Sequence, residues 1–302
     1  MIDYIDEDVA YLLGMIFARG RFSEDGRLKT LEIEIEYKNL EAEGLKTVFN
    51  QKDQLILSVS KIRDRINELL DVDIRMDARE NAILLYAHFT KNSMAWRNLR
   101  LVTDAKSSFH EFLLPDYFFD NSKEIKREFL KGFCDLAGYV RKSNVDQIGM
   151  HRIYIQIVNK NWQLPIQICK IFQKDFGIPV ETLTWGHPNI REPNRVEVPS
   201  TYSGWAREHQ LKIYANDFSI GFGFEYKQRI LEEFSAFNIE KGKKKTKLCY
   251  PNKRSRSTRK PKHPCEASEL LPVEIRGKHF NGFRSICKGL GCPQRKIREG
   301  QN

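Results

Sequence analysis

The stretch Leu12-Leu13-Gly14-Met15-Ile16-Phe17-Ala18-Arg19-Gly20 decides the fold of this chain. A second stretch of the same design begins 118 residues later, Leu130-Lys131-Gly132-Phe133-Cys134-Asp135-Leu136-Ala137-Gly138. Each is an apolar segment with one glycine near its start and another at its end. Residues four apart share a face of a helix, and small residues there let two helix backbones approach closely. We therefore expect two helices that pack against each other through Gly14, Ala18, Gly132 and Leu136.

The segments after each stretch repeat one order of elements, helix, two strands, helix, two strands, helix. Ser23-Glu24-Asp25-Gly26 is typical of a turn, and alternation at period 2 predicts a strand at 31–37. The first half is predicted to continue with a helix at 54–70, strands near 72–79 and 82–89, and a helix containing Trp96. The second half is predicted to have helices at 123–138, 162–176 and 225–237 and strands at 152–158 and near 180–186, 194–199 and 211–215. These patterns indicate an α+β fold of two αββαββα halves.

The paired motifs and the repeated order of elements resemble the LAGLIDADG homing endonucleases over about residues 5–239. The resemblance implies a pseudo-symmetric monomer whose two antiparallel four-stranded sheets form a saddle. One face of each sheet would then pack under helices, and the other would lie in the major groove of DNA. We divide the chain into a first half (1–112), a second half (113–239), a basic linker or arm (240–262) and a helix-turn-helix segment (263–302).

The chain departs from that family at the residue before the final glycine of each motif. Family members carry an acid there that binds the catalytic divalent metal, whereas this chain has Arg19 and Ala137. Guanidinium offers no acceptor for a cation, and alanine offers no ligand. We therefore expect no catalytic residue, no metal site and no cofactor. Arg19 is expected either to bind a DNA phosphate or to pair with Glu24.

Relocated carboxylates are the alternative to a lost active site. Asp135 together with Glu24 or Asp25 would then hold Mg²⁺ for DNA cleavage.

The strand at 152–158 suits a DNA-contacting face in the second half. Ile153, Ile155 and Ile157 would point to the core, and the opposite face would offer hydrogen-bond donors to base edges and phosphates. The candidate DNA-binding residues here are Arg141, Lys142, Arg152, Tyr154 and Gln156.

The equivalent face of the first half is acidic, since Glu32, Glu34 and Glu36 alternate with core residues. Either nearby basic residues offset these carboxylates, or this half binds DNA weakly and offers the face to a protein partner. The basic residues in question are Arg27, Lys29, Arg75 and Arg79.

The positive charge is concentrated at the C-terminal end of the chain. The formal net charge is +10, and residues 240–302 contain 18 Lys and Arg against 5 Asp and Glu, so the rest is slightly acidic. Such a segment is typical of a sequence-independent phosphate binder or of a flexible tether. The candidate phosphate contacts are Lys243, Lys244, Lys245, Arg254, Arg256, Arg259 and Lys260.

The last residues resemble a helix-turn-helix, with a turn at Gly291 and a recognition helix carrying Gln294, Arg295 and Arg298. An earlier helix at about 270–280 would complete the unit. This combination of scaffold and helix-turn-helix resembles the bacterial sporulation regulators called WhiA. Zinc is an alternative for this region, although no close Cys-x-x-Cys spacing supports it; its ligands would come from Cys249, His263, Cys265, His279, Cys287 and Cys292.

The sequence leads us to expect an intracellular protein. It has no long apolar run and an acidic N-terminus, so we expect neither a membrane span nor a signal peptide, and the six cysteines are expected to be reduced thiols. We expect a cytoplasmic, nucleoid-associated or organellar monomer that binds double-stranded DNA selectively without cutting it. The alternatives are a metal-dependent DNA endonuclease and a cofactor for splicing of group I intron RNA.

Overall fold

The computed structural model describes residues 5–26, 28–37, 51–70, 72–141, 149–158, 163–188, 207–248, 273–275 and 278–280. The first half contains α1 (Glu7–Arg19), β1 (Gly20–Asp25), β2 (Leu28–Glu36), α2 (Gln51–Leu70), β3 (Ile74–Ala78), β4 (Ala82–Phe89) and α3 (Met94–Val102). The second half contains α4 (Lys123–Ala137), β5 (Gly138–Arg141), β6 (Arg152–Ile157), α5 (Gln163–Lys170), β7 (Thr182–Pro188), β8 (Arg207–Tyr214) and α6 (Glu225–Glu240).

The two halves have the same topology. Each forms an antiparallel four-stranded sheet, in the orders β1-β2-β4-β3 and β5-β6-β8-β7. Because the second order repeats the first position by position, the predicted α+β fold of two αββαββα halves is confirmed. The strand expected at 194–199 lies outside the described residues.

The two motif helices begin and end alike because their flanking residues match. The Asp6 carboxylate accepts from the Val9 amide at 2.8 Å, and the Ser122 hydroxyl accepts from the Ile125 amide at 3.3 Å, so each helix has an N-cap. Gly20 and Gly138 end the helices in extended conformation and lead directly into β1 and β5. The turn expected from residue 23 begins later, because β1 continues to Asp25 and Gly26 adopts a positive φ of 56°.

Alternation along the strands determines which face of each sheet enters the core. Leu31, Ile33 and Ile35 are buried against the helices, as are Ile153, Ile155 and Ile157 in the second half. The two sets belong to one continuous core that α1 and α4 join. The opposite, outer faces are therefore the surfaces on which the two halves can contact a partner.

The segment after the second half differs from the prediction. Lys247–Leu248 (β9), Val273–Ile275 (β10) and Lys278–Phe280 (β11) form a three-stranded antiparallel sheet. The helix expected at about 270–280 is wrong, because β-branched Val273 and Ile275 alternate with Glu274 and favour a strand. Residues 281–302, with the expected recognition helix, lie outside the described residues. None of the helices in the described ranges is long and apolar enough to cross a bilayer.

Candidate nucleic-acid interface

The crossing of α1 and α4 forms the seam between the halves. A Cβ on Gly14 would meet the carbonyl oxygen of Phe129 and would lie 2.6 Å from the Phe133 amide nitrogen. A Cβ on Gly132 would overlap the carbonyl oxygen of Tyr11 in the same way. Backbone therefore packs on backbone at both glycines, while Ala18 and Leu136 are buried further along the helices.

Arg19, at the end of α1, does not occupy either of its predicted environments. Its side chain is buried, Nη1 donates to the Ala18 carbonyl at 2.9 Å, and the guanidinium lies 5.5 Å from the centroid of the Phe109 ring. Glu24 instead lies 3.9 Å from Arg100 Nε. Arg19 at 5% exposure is thus a packed side chain rather than an exposed phosphate contact. Ala137, its counterpart on α4, is fully buried.

Asp135 is not available as a relocated metal ligand. The buried carboxylate accepts a 2.5 Å hydrogen bond from the Tyr11 hydroxyl, bonds of 3.0 and 3.1 Å from the Gly223 amide, and one of 3.1 Å from the Phe224 amide. Burial raises the pKa of Asp135 to about 6, although the nearby Lys227 ammonium opposes that shift. Both oxygens are therefore bound inside the protein, which argues against the alternative in which Asp135 holds Mg²⁺. Glu24 and Asp25 are exposed at the far end of β1.

Lys227 belongs to this site, although the sequence analysis does not predict it. Its ammonium, carried by the first turns of α6, donates to the carbonyl oxygens of Asp135 at 2.5 Å and Gly138 at 2.6 Å. These are carbonyls at the C-terminal end of α4, where a cation is favoured. Burial lowers the pKa of Lys227 to about 8. A signal was present, because Lys227 occupies an apolar stripe that continues through Ile230, Leu231 and Phe234 at helical spacing.

The outer face of the second sheet carries an aromatic and polar row. Tyr139, Tyr154 and Lys212 lie opposite one another on β5, β6 and β8. The two tyrosine rings stack with centroids 5.4 Å apart, and the Lys212 ammonium lies 5.6 Å from the Tyr154 ring. Gln156 Nε2 donates weakly to the Tyr139 hydroxyl at 3.4 Å. All four side chains are partly exposed, so this face offers rings, an amide and an ammonium to a partner.

Arg152 does not join that row, although it points to the same side of β6. It is 2% exposed; Nη2 donates to Glu181 Oε1 at 2.6 Å and to the Tyr214 hydroxyl at 2.9 Å. Its guanidinium also packs 4.7 Å from the Tyr214 ring centroid. The expected DNA contact is wrong because tertiary neighbours cover this end of the strand. Arg141 lies in β5, opposite Arg152, and Lys142 lies outside the described residues.

The basic tail begins as ordered structure. Lys243 is only partly exposed, and its ammonium donates to the Lys244 carbonyl at 2.7 Å and to Thr246 Oγ1 at 3.0 Å. This corrects its assignment to a freely available arm, whereas Lys244 and Lys245 are exposed. The other predicted cations of the tail lie outside the described residues: Arg254, Arg256, Arg259 and Lys260, with Gln294, Arg295 and Arg298 of the last segment.

The outer face of the first sheet has mixed charge. Glu32, Glu34 and Glu36 point away from the core, as predicted, and are partly exposed. The Arg79 guanidinium donates to Asp77 at 2.9 Å, and this bond raises the pKa of Arg79, to which the charges of Glu32 and Glu34 also contribute.

The other basic residues named for this face differ in position. Arg75, on β3, lies on the same outer face as Arg79, which directly follows β3. Lys29 lies on the opposite side of β2, with its ammonium 5.6 Å from the Trp96 ring. Arg27 lies outside the described residues. Arg75 is paired with Asp73 and Arg79 with Asp77, so this face of the first sheet stays acidic.

Within the described part of the chain, no group of three or more His, Cys, Asp or Glu side chains is placed to hold a metal ion. The cysteines proposed for zinc lie outside that part, whereas Cys134 and Cys169 are buried free thiols.

Comparison with known proteins gives distant similarity in structure alone. No family model and no curated protein matches this sequence. Full-length DUF199/WhiA from Thermatoga maritima is similar over 80% of this chain, with 14% identity and a TM-score of 0.42. The chain spans 63% of that protein, less than two thirds of its length.

Two further solved structures are similar. The N-terminal LAGLIDADG domain of DUF199/WhiA is 12% identical over 78% of this chain and 86% of its own, with a TM-score of 0.37. I-DmoI, in a complex with DNA and Ca, is 15% identical over 68% of this chain and 82% of its own, with a TM-score of 0.36. At such low identity and TM-score, the chemistry of this chain follows only from its own residues. The paired αββαββα halves and the glycine seam give the chain a LAGLIDADG-like fold.

Proposed function

We propose that this protein binds duplex DNA selectively through the outer face of its second sheet and does not cut it. The observation that carries the proposal is the row Tyr139, Tyr154 and Lys212 with Gln156 beside it. A glutamine amide can pair with an adenine edge, and an ammonium can bind a phosphate. A two-stranded or wider β surface fits the major groove, which is also what the LAGLIDADG resemblance implies for this face.

The absence of cleavage is supported by the ends of the two motif helices. Arg19 and Ala137 stand where that family carries metal-binding acids, and neither supplies an oxygen ligand. Asp135 is committed to Tyr11 and to backbone amides. A hard divalent ion needs several oxygen ligands at its site, and these helix ends do not supply them.

The first sheet is proposed to contribute less to binding. Its outer face carries Glu32, Glu34 and Glu36, which repel phosphates, and the nearby Arg79 is paired with Asp77. The second half and the adjoining lysines would therefore contribute most of the affinity for the duplex.

Selection from a random duplex pool by the full chain, followed by sequencing, tests the proposal. We expect an enriched sequence motif, lost in a Tyr154→Ala/Gln156→Ala variant and retained in Tyr117→Ala, which alters an exposed tyrosine before α4. No enrichment in wild type, or equal enrichment in both variants, would contradict it. Preference for RNA in a parallel pool would favour the splicing alternative instead.

Cleavage is tested on a supercoiled plasmid that carries the selected site, with Mg²⁺ or Mn²⁺ added. We expect no nicked or linear product. Discrete metal-dependent cleavage by the wild type would contradict this part of the proposal and favour the endonuclease alternative.

A further inference from the structure

After the C-terminal end of α6, the chain reverses direction and runs back toward the second sheet. Gly242 adopts a positive φ of 76°, its amide donates to the Ile239 carbonyl at 2.9 Å, and the Lys243 amide donates to the Asn238 carbonyl at 2.8 Å. This is the Schellman arrangement, in which a left-handed glycine reverses the chain after a helix. Residues 243–246, which we call the clasp, therefore run back past the helix end.

The Lys243 side chain holds the clasp together. Its ammonium binds the Lys244 carbonyl and Thr246 Oγ1, and it lies 3.9 Å from Asp217 Oδ2. The Thr246 amide donates to the same carboxylate, at 3.1 Å to Oδ1 and 3.3 Å to Oδ2. Asp217 is itself buried, so the clasp is pinned to the body at both of its ends.

The clasp lies beside the outer face of the second sheet. The Lys243 ammonium sits 4.2 Å from the centroid of the Tyr214 ring, and Tyr214 lies opposite Arg152 on that face. Glu181 links the two regions, since burial raises its pKa while the charges of Arg152, Lys212 and Lys243 oppose that shift. Lys212 of the proposed interface and Lys243 of the clasp are thus neighbours of one carboxylate.

The clasp therefore fixes the backbone of two exposed cations, of which Lys244 directly follows the lysine that lies against Tyr214. Lys245 instead lines a groove together with Phe176, Asp217 and Ile239. Lys244 and Lys245 are both exposed, and the charge of Lys245 acts on Asp217. A lysine on a fixed backbone loses less conformational freedom on binding than one on an unrestrained arm.

We propose that the clasp positions Lys244 to bind the sugar-phosphate backbone of the duplex on the outer face of the second sheet, with Lys243 as the positioning residue. This inference rests on the proposed function. Lys243 itself does not touch the DNA in this arrangement, because its ammonium is occupied by the clasp and by Asp217.

Hydrogen exchange at the Thr246 amide measures the clasp without any DNA. In the full chain we expect protection in wild type and in Lys244→Met, and loss of protection in Lys243→Met. Lys241→Met is the matched control, because it removes an exposed lysine two residues earlier. Thr246→Val removes only the hydroxyl acceptor and should also lower the protection of the residue 246 amide. It replaces Lys243→Met in this test if the Lys243→Met protein does not fold. Unchanged exchange in Lys243→Met and Thr246→Val would overturn the clasp.

The salt dependence of binding to a mixed-sequence DNA duplex measures positioning. Each phosphate contact contributes about 0.9 to the slope of log Kobs against log salt concentration. Lys244→Met and Lys243→Met should each lower the slope by about 0.9, and the double variant should lower it by no more than that, because Lys243 acts through Lys244. Lys245→Met and Lys241→Met should leave the slope unchanged. A Lys243→Met slope equal to wild type, with Thr246 unprotected, would overturn the positioning role. Failure of wild type to bind any duplex, with Thr246 protected, would overturn the proposed function and positioning while leaving the clasp.

Discussion

The hydroxyl of Tyr11 on α1 donates a 2.5 Å hydrogen bond to the carboxylate of Asp135 on α4. The bond crosses the seam between the two halves, and both side chains are buried. An acid in the second motif is thereby used to join the halves, which makes the free energy of unfolding sensitive to its protonation.

Asp135 should make the protein less stable as the pH rises. Its pKa is raised from 3.8 to about 6 in the folded state, so folding favours the protonated form. The contribution is fully present below the unfolded-state pKa and is lost as the pH passes through about 6, with a total of about 3 kcal/mol. Denaturant unfolding of wild type and Asp135→Asn at several pH values measures it as the difference between the two curves. Glu68→Gln, at an exposed acid, should keep the wild-type dependence.

Replacement of Lys227 by Met should shift the midpoint of that pH dependence to higher pH. The ammonium lowers the pKa of Asp135 against the larger effect of burial, so its loss should raise the midpoint above about 6. The change also leaves the Asp135 and Gly138 carbonyls without their donor, at a cost of about 2 kcal/mol. The same unfolding curves report both effects, and an unchanged midpoint would show that the Lys227 charge does not act on Asp135.

Gly132→Ala should destabilise the seam by about 3 kcal/mol, because the new methyl group meets the Tyr11 carbonyl and two helix backbones must separate. Gly149→Ala is a suitable control, since its Cβ would meet nothing within 4 Å. Its positive φ of 68° still makes alanine cost about 1 kcal/mol. Thermal and denaturant unfolding measure both variants; equal losses would show that the seam can widen freely.

Glu181→Gln should cost about 3 kcal/mol, because it removes the carboxylate charge that the buried Arg152 guanidinium binds at 2.6 Å. The exposed pair between Arg229 and Glu225 has the same 2.6 Å separation, so Glu225→Gln is a matched control with an expected loss under about 0.5 kcal/mol. Denaturant unfolding separates the two predictions. A small loss in Glu181→Gln would mean that water reaches Arg152.

Local pattern was sufficient to predict the scaffold. The two apolar stretches with paired glycines, and the alternation through Leu31, Ile33 and Ile35, gave the motif helices and the inward face of β2 correctly. Both patterns depend on residues three or four apart in a helix, or two apart in a strand, so the local sequence is sufficient to recognise them. The sequence predicts a helix where β10 and β11 form a hairpin, because short apolar runs fit either the helical or the strand period.

Tertiary structure alone decided which charged residues are available. Arg152 is covered by Glu181 and Tyr214, which are 29 and 62 residues away along the chain, and Asp135 is bound by Tyr11 from 124 residues before it. The periodicity of the sequence predicts which face of a helix or strand a side chain occupies. The burial of that side chain depends on which distant segment packs over the face. The sequence by itself therefore determined the scaffold and its outer faces, and only the fold determined which charged residues of those faces are buried.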